Sequence, residues 1–208
     1  YKLPIGCHVP ETIILADGDF PSHPLALEWL RQCPYVVCCD GAANTYIRSG
    51  RMPEAIVGDG DSLLPDIKER YASLIHSEAE QETNDLSKAF RFCLSQERKR
   101  ITIMGATGKR EDHTIGNVSL LADYMEQAEV SMMTDYGIFV PIREDSMFES
   151  YIGQQISVFN MNSTALSAEG LAYPLSVFTN WWQGTLNEAL ARHFIIRTEG
   201  KVLVFRVF

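Results

Sequence analysis

No block of basic residues occurs in this chain of 208 residues. Lys and Arg number 18 against 27 Asp and Glu, a net charge of −9. The nearest approach, Arg98-Lys99-Arg100, has the pattern of a solvated helix end. This argues against a nucleic-acid partner, which needs a basic stripe to neutralise phosphates. No apolar run approaches the roughly 20 residues that span a bilayer, and the first residues show no leader pattern of positive charge followed by an apolar stretch. The cysteines, Cys7, Cys33, Cys38, Cys39 and Cys93, are odd in number (5) and include no C-x-x-C pair. That pattern excludes a disulfide framework or a zinc site and fits buried thiols in a reducing compartment. The expectation is a soluble, cytoplasmic protein without a membrane partner. Internal repeats and low-complexity segments are also absent, so solenoids and tails are not indicated.

With 46% hydrophobic residues, the chain can bury one large core or two smaller ones. Short apolar runs recur: Thr12–Ala16, Tyr35–Cys39, Ala55–Val57, Leu74–His76 and Ile101–Met104. They read as buried strands. Between them lie helical stretches at residues 24–32, 42–49, 84–97 and about 114–127. The clearest, 84–97, carries Leu86, Ala89, Phe90, Cys93 and Leu94 as an i, i+3, i+4, i+7, i+8 stripe, with Thr83 placed to cap it. This alternation predicts an α/β fold, a mostly parallel, Rossmann-like sheet flanked by helices. The texture then changes. Residues 154–160, 164–168 and 171–178 read as short strands, and 193–208 as a hairpin turning at Glu199-Gly200. The second part is expected to be a smaller all-β sandwich domain. The division is placed near residue 147: 1–147 for the α/β domain and 148–208 for the β domain.

Ligands of such sheets bind beyond the carboxyl ends of the strands, and Asp17, Asp40, Asp59 and Gly105 all fall there. In Gly58-Asp59-Gly60-Asp61-Ser62 the two carboxylates stand two apart, on one side of an extended segment. Such a pair repels unless a cation sits between its members. Mg²⁺ takes one or two carboxylates together with substrate phosphates; the alternative is a plain Asp/Gly surface turn. Asp85, in the first turn of the 84–97 helix, offers a third carboxylate at a helix terminus that also suits phosphate. Gln81 and Thr83 precede it. Gly105-Ala106-Thr107-Gly108-Lys109-Arg110-Glu111-Asp112-His113 joins a strand to a helix and suits a phosphate cradle, although it matches no Walker A or G-x-G-x-x-G spacing. Arg110 is its candidate bidentate phosphate contact. Asp112 could orient Arg110, bind metal or accept a proton. In the β domain, one of Trp181 and Trp182 is expected in the core and the other free to stack on a flat or cationic ligand.

Four segments carry a resemblance in order: Cys39-Asp40-Gly41-Ala42-Ala43-Asn44, the 58–62 stretch, Gln81-Glu82-Thr83-Asn84-Asp85-Leu86-Ser87-Lys88-Ala89, and the 105–113 loop. Followed by Gly170–Leu175 and Gly184–Glu188, they resemble the thiamine pyrophosphokinase family over nearly the whole chain. The resemblance implies transfer of pyrophosphate from ATP to the hydroxyethyl group of thiamine, giving thiamine diphosphate and AMP. It implies Asp59, Asp61 and Asp85 as Mg²⁺ ligands, with Arg110 and Asp112 also at the reacting groups. Asp40, Asn44, Gln81, Thr83, Lys88 and Lys109 would line the nucleotide and phosphate site, while Trp181, Trp182 and Asn187 would serve thiamine. It also implies a homodimer with the active site at the subunit interface, the β domain of one chain holding thiamine against the nucleotide domain of the other. One departure stands out: Thr185-Leu186-Asn187 replaces a Thr-Ser-Asn run, so an apolar side chain stands where the family often has a hydroxyl. Another metal-dependent nucleotide-using transferase and a non-catalytic nucleotide or thiamine-diphosphate sensor remain as alternatives.

Overall fold

The computed structural model describes residues 1–4, 9–78 and 82–208. The chain packs as two compact units. One comprises Val9–Leu120 and Gln127–Asp135; the other takes Tyr136–Phe208, Leu121–Glu126 and the N-terminal residues.

The first unit holds strands β1 (Thr12–Leu15), β2 (Val36–Cys39), β3 (Ala55–Gly58), β4 (Ile75–Ser77), β5 (Arg100–Met104) and β6 (Glu129–Met133). All of them pair in parallel, in the order β6-β5-β1-β2-β3-β4. Strands β1, β2 and β3 are buried along their whole length, as their unbroken apolar runs require of a sheet covered by helices. The connecting helices are α1 (Pro24–Gln32), α2 (Ala42–Arg48), α3 (Pro65–Arg70), α4 (Asp85–Ser95) and α5 (Glu111–Tyr124). The apolar stripe of α4 is buried as Leu86, Ala89, Phe90 and Cys93. Its cap lies one residue later than expected. Asn84, not Thr83, accepts from the Ser87 N–H at 2.9 Å, because Asn84 holds the extended backbone geometry of the residue that precedes the first helical turn. Helix α5 begins at Glu111, three residues before the apolar pattern starts. The sheet's order reverses between β1 and β5, since the chain runs outward from β1 to β4 and returns to β5 on β1's other side. That reversal opens the crevice that α/β sheets use for ligands.

The second unit is antiparallel. Strands β7 (Gly137–Ile142), β9 (Gln155–Asn160), β11 (Asn187–Glu188) and β13 (Val202–Val207) form one sheet; β8 (Ser146–Glu149), β10 (Leu166–Glu169) and β12 (His193–Thr198) form the other. Their inner faces share one core, with Val140, Val158 and Val204 from the first sheet and Phe148, Leu166, Phe194 and Ile196 from the second. This is a β-sandwich.

Two expectations are corrected here. Residues 193–208 are two strands, but not a hairpin: β12 pairs with β10 and β8, while β13 pairs with β7 and β9. Gly200 (φ 131°) and the Lys201 N–H donated to Asn162 Oδ1 carry the chain from one sheet across to the other. Residues 171–178 are not a strand. Beyond the single Leu171–Ala189 bridge, Pro174 cannot donate to a ladder. The Asn187 side chain takes both the N–H and the C=O of Tyr173, at 3.0 and 2.8 Å.

Phe148 anchors this core. It is fully buried, stacked 5.0 Å from Phe194 at 7° and 4.7 Å from Tyr1, with the Arg206 guanidinium 5.1 Å from its ring. Phe148→Ala is expected to cost about 3–5 kcal/mol, read as a lowered urea midpoint of the second unit. An unchanged midpoint would contradict this packing.

Candidate active site

The site grows from the ends of β2 and β3. Gly58 closes β3 beside Asp40, where a Cβ would lie 2.8 Å from the Cβ of Asp40. Only glycine lets the two strand ends approach so closely. Asp40 itself sits at φ 26°, a conformation costly for a residue with a side chain. It is only 3% exposed. Its Oδ2 accepts from the Ser62 N–H at 3.1 Å, and its Oδ1 is buried without a hydrogen-bond partner among the described residues. Burial pushes its carboxyl above the usual range, the Ser62 N–H opposes this, and the negative charges of Asp59 and Asp85 push it further up.

Asp59 is exposed and behaves oppositely. The Asp61 N–H, donated to its Oδ1 at 3.0 Å, holds its carboxyl below the usual range; a hydrogen bond from Asp40 and the Lys88 charge act the same way. Asp59 and Asp40 therefore divide roles as neighbouring carboxyls do, one favouring the proton and the other the charge. Asp61 projects from the same turn and is exposed.

Helix α4 brings the third carboxylate. The Asp85 carbonyl oxygen accepts from Cys39 Sγ at 3.7 Å, which ties the helix start to the end of β2. Its carboxylate accepts from Lys88 Nζ at 3.2 Å. The Lys88 side chain is 4% exposed, and Asp85 is its ion-pair partner. A buried ammonium is retained where a carboxylate answers it.

The remaining expected residues fall into three groups. Asn44 faces the 58–64 turn but braces it, donating to Ser62 O at 2.8 Å and accepting from the Leu64 N–H at 3.0 Å. Thr83 Oγ1 accepts from Arg91, and Gln81 lies outside the described residues. In the loop after β5, Arg110 and Asp112 form a bidentate pair at 3.1 and 2.6 Å. The guanidinium holds the Asp112 carboxyl below its usual range. Lys109 is turned to Asp17, at 3.0 Å from its carbonyl and 3.1 Å from its carboxylate. Asp17 was expected as a strand-end carboxylate without a role of its own, and it ends β1 as Asp40 ends β2. The same position in an apolar strand-end pattern is the signal that marks it. Asn117 was missed: it links Asn84 of the α4 cap (3.3 Å) to Ala106 O (2.8 Å).

In the second unit, neither Trp is core. Trp181 is 45% and Trp182 73% exposed, because both lie in a one-turn 3₁₀ helix, Trp181–Gly184, outside the sheets. Trp181 rests edge-on against Phe159 at 6.1 Å. Asn187 is buried and committed to Tyr173. Leu186 is 77% exposed at φ 62°.

The donor set suits a hard divalent cation: every candidate ligand is a carboxylate, and the buried Asp40 Oδ1 leaves one acceptor unanswered. Among the described residues no group of three carboxylate, imidazole or thiol side chains closes on one point. A cation held by one or two carboxylates that completes its shell with water and phosphate oxygens needs no such cage.

A family model described as the thiamin pyrophosphokinase catalytic domain matches residues 26–133. A second, described as the thiamin pyrophosphokinase substrate-binding domain, matches residues 137–205. The chain is 30% identical over 129 residues to thiamine pyrophosphokinase 1 of Oryza sativa subsp. japonica, covering 50% of this chain and 49% of that protein. It is 34% identical over 86 residues to thiamine pyrophosphokinase of Bacillus subtilis, covering 39% of this chain and 40% of that protein. The chain thus spans about half the length, or less, of these curated relatives (49% and 40%). Among solved structures, thiamine pyrophosphokinase from Bacillus subtilis superposes with a TM-score of 0.78 at 20% identity, over 94% of this chain and 98% of that one. Yeast thiamin pyrophosphokinase does so with a TM-score of 0.78 at 16% identity, over 97% and 88%. At these identities the likeness establishes the fold.

The raised Asp40 carboxyl carries a stability signature. Between its unfolded and folded pKa the native state binds more protons than the unfolded chain, so this residue's contribution falls as pH rises from about 4. The stability difference between the wild type and Asp40→Asn, from urea midpoints across pH 4–7, is expected to shrink or reverse with rising pH. A difference that grows with pH would contradict the assignment.

Proposed function

The chain belongs to the thiamin pyrophosphokinase family, and from that premise we propose that it transfers the pyrophosphoryl group of ATP to the hydroxyl of thiamine, releasing thiamine diphosphate and AMP. The observation that carries this reading is the meeting of Asp40, Asp59, Asp85 and Lys88 in one electrostatic neighbourhood beyond the ends of β2 and β3, within the segment matched by the catalytic-domain model.

In this reaction the thiamine oxygen attacks the β-phosphorus. The bond from that phosphorus to the oxygen bridging it to the α-phosphorus breaks, and AMP leaves with the electron pair. Charge spreads over the phosphoryl oxygens, so positioning and cationic stabilisation carry most of the catalysis. Asp59, Asp61 and Asp85 would hold Mg²⁺, which supplies positive charge to the phosphates when bound. Asp40 sets the electrostatic level of Asp59, and Lys88 holds the Asp85 carboxylate in place. Asn44 braces the turn that presents Asp59 and Asp61.

Arg110 is the phosphate contact of the 105–110 loop, its planar fork suited to two oxygens. While it pairs with Asp112, the Asp112 carboxylate is a poor base. As the guanidinium turns to phosphate, Asp112 regains ordinary basicity and accepts the proton from the thiamine hydroxyl. Thiamine is a cation, and the exposed Trp181 and Trp182 offer it aromatic faces. We place the active site at the subunit interface of a homodimer, working in the cytoplasm.

Asp59→Asn and Asp85→Asn should each lower kcat by about 10²–10³-fold, with circular dichroism close to wild type; the urea midpoint should stay near wild type for Asp59→Asn and fall for Asp85→Asn, which leaves the buried Lys88 without its carboxylate. Near-normal turnover in either would remove the carboxylates from the reaction.

A further inference from the structure

The loops that follow β1 and β5 are laced together at the reversal point of the sheet. Ala16 N–H donates to Met104 O at 2.8 Å, Gly18 N–H to Gly105 O at 2.6 Å and Asp19 N–H to Thr107 O at 2.9 Å. The last stitch is made by side chains. Lys109 Nζ donates to Asp17 O at 3.0 Å and Oδ1 at 3.1 Å. Lys109 does this from φ 53°, a left-handed conformation that L residues with side chains seldom adopt and that persists where the surroundings impose it. The Lys109 side chain turns back toward the end of β1, while the next residue, Arg110, is exposed and pairs with Asp112.

We propose that Asp17 and Lys109 are a positioning pair: their ion pair staples the 105–110 loop to the end of β1 and so aims Arg110 at the polyphosphate of ATP. This rests on the nucleotide reading of the preceding section. In this arrangement Lys109 is not itself a phosphate ligand. Two of its three N–H donors are spent on Asp17, and the pair is the outermost rung of a backbone ladder already formed. Both side chains are about half exposed (54% and 46%), so the coupling is modest.

The test is ATP binding to the full chain in the presence of Mg²⁺, by titration calorimetry, for wild type, Asp17→Asn, Lys109→Met, Lys109→Arg and the double variant Asp17→Asn/Lys109→Met. Each single charge-removing variant is expected to weaken ATP about three- to fivefold, with KM for ATP rising equally and kcat falling as well, because a misaimed Arg110 serves the transferring phosphoryl group less well. The double variant should bind no more weakly than either single one, because both break the same staple. Lys109→Arg, which keeps a cation in reach of Asp17, should stay within about twofold of wild type. Tighter binding by Asp17→Asn would overturn the proposal and make Lys109 a phosphate ligand that Asp17 restrains. Additive losses, or variants equal to wild type, would also overturn it. Absence of ATP binding by the wild type itself would overturn the nucleotide reading as well, and so separates the two failures. If Lys109→Met does not fold, Asp17→Asn and Lys109→Arg decide the matter.

Discussion

Like-charge repulsion at the ends of two neighbouring parallel strands is the constraint on which the rest of this site depends. Asp40 and Asp59 are forced together because β2 and β3 pair in register and Gly58 leaves no Cβ between them. The molecule does not relieve the strain by moving them apart. It buries one carboxyl, which raises its proton affinity, and bathes the other in the Asp61 N–H and the Lys88 charge, which lowers it. Asp85 joins from α4 with Lys88 beside it. A concentration of negative charge on an already acidic chain is costly unless a cation offsets it. The proposed reaction would bring that cation in with the phosphates.

The framework around this cluster is stiff. Strands β1, β2 and β3 are buried throughout, and backbone hydrogen bonds lace the β1 and β5 loops together. Asn44 fixes the 58–64 turn from α2, while Asn117 reaches from α5 to the α4 cap and the β5 loop. Polar side chains committed to backbone groups in this way fix the backbone around the site. They hold the turn and loop backbones around the carboxylates in the fixed geometry that the proposed phosphoryl transfer would require. In the second unit Asn187 has the same office, and the ring stack on Phe148 gives the sandwich its centre.

Much of this was legible in the residues. Apolar runs that stop at Asp-Gly announce β1, β2 and β3, and with them the strand-end carboxylates. The stripe in α4 places Asp85 at a helix start. What stayed hidden has physical reasons. Helix α3 has six residues, too few for a periodic stripe. Strand β6 mixes Glu129 and Ser131 with its apolar residues and shows no clean run. The turn at Glu199-Gly200 is plain, but a turn does not say whether its strands will pair or part into two sheets. Asn187 looked available to a ligand because nothing in its neighbourhood reveals that Tyr173, 14 residues away, already uses it. The pairing of Asp17 stayed hidden for the same reason: its partner Lys109 lies 92 residues along the chain.

Pyrophosphoryl transfer is distinguished from simple phosphorylation by the identity of the nucleotide released. ATP, Mg²⁺ and thiamine are incubated with the protein, and the products are separated by chromatography. AMP is expected to appear in step with thiamine diphosphate, and only when thiamine and the metal are both present. ADP in place of AMP, or AMP formed without thiamine, would contradict it.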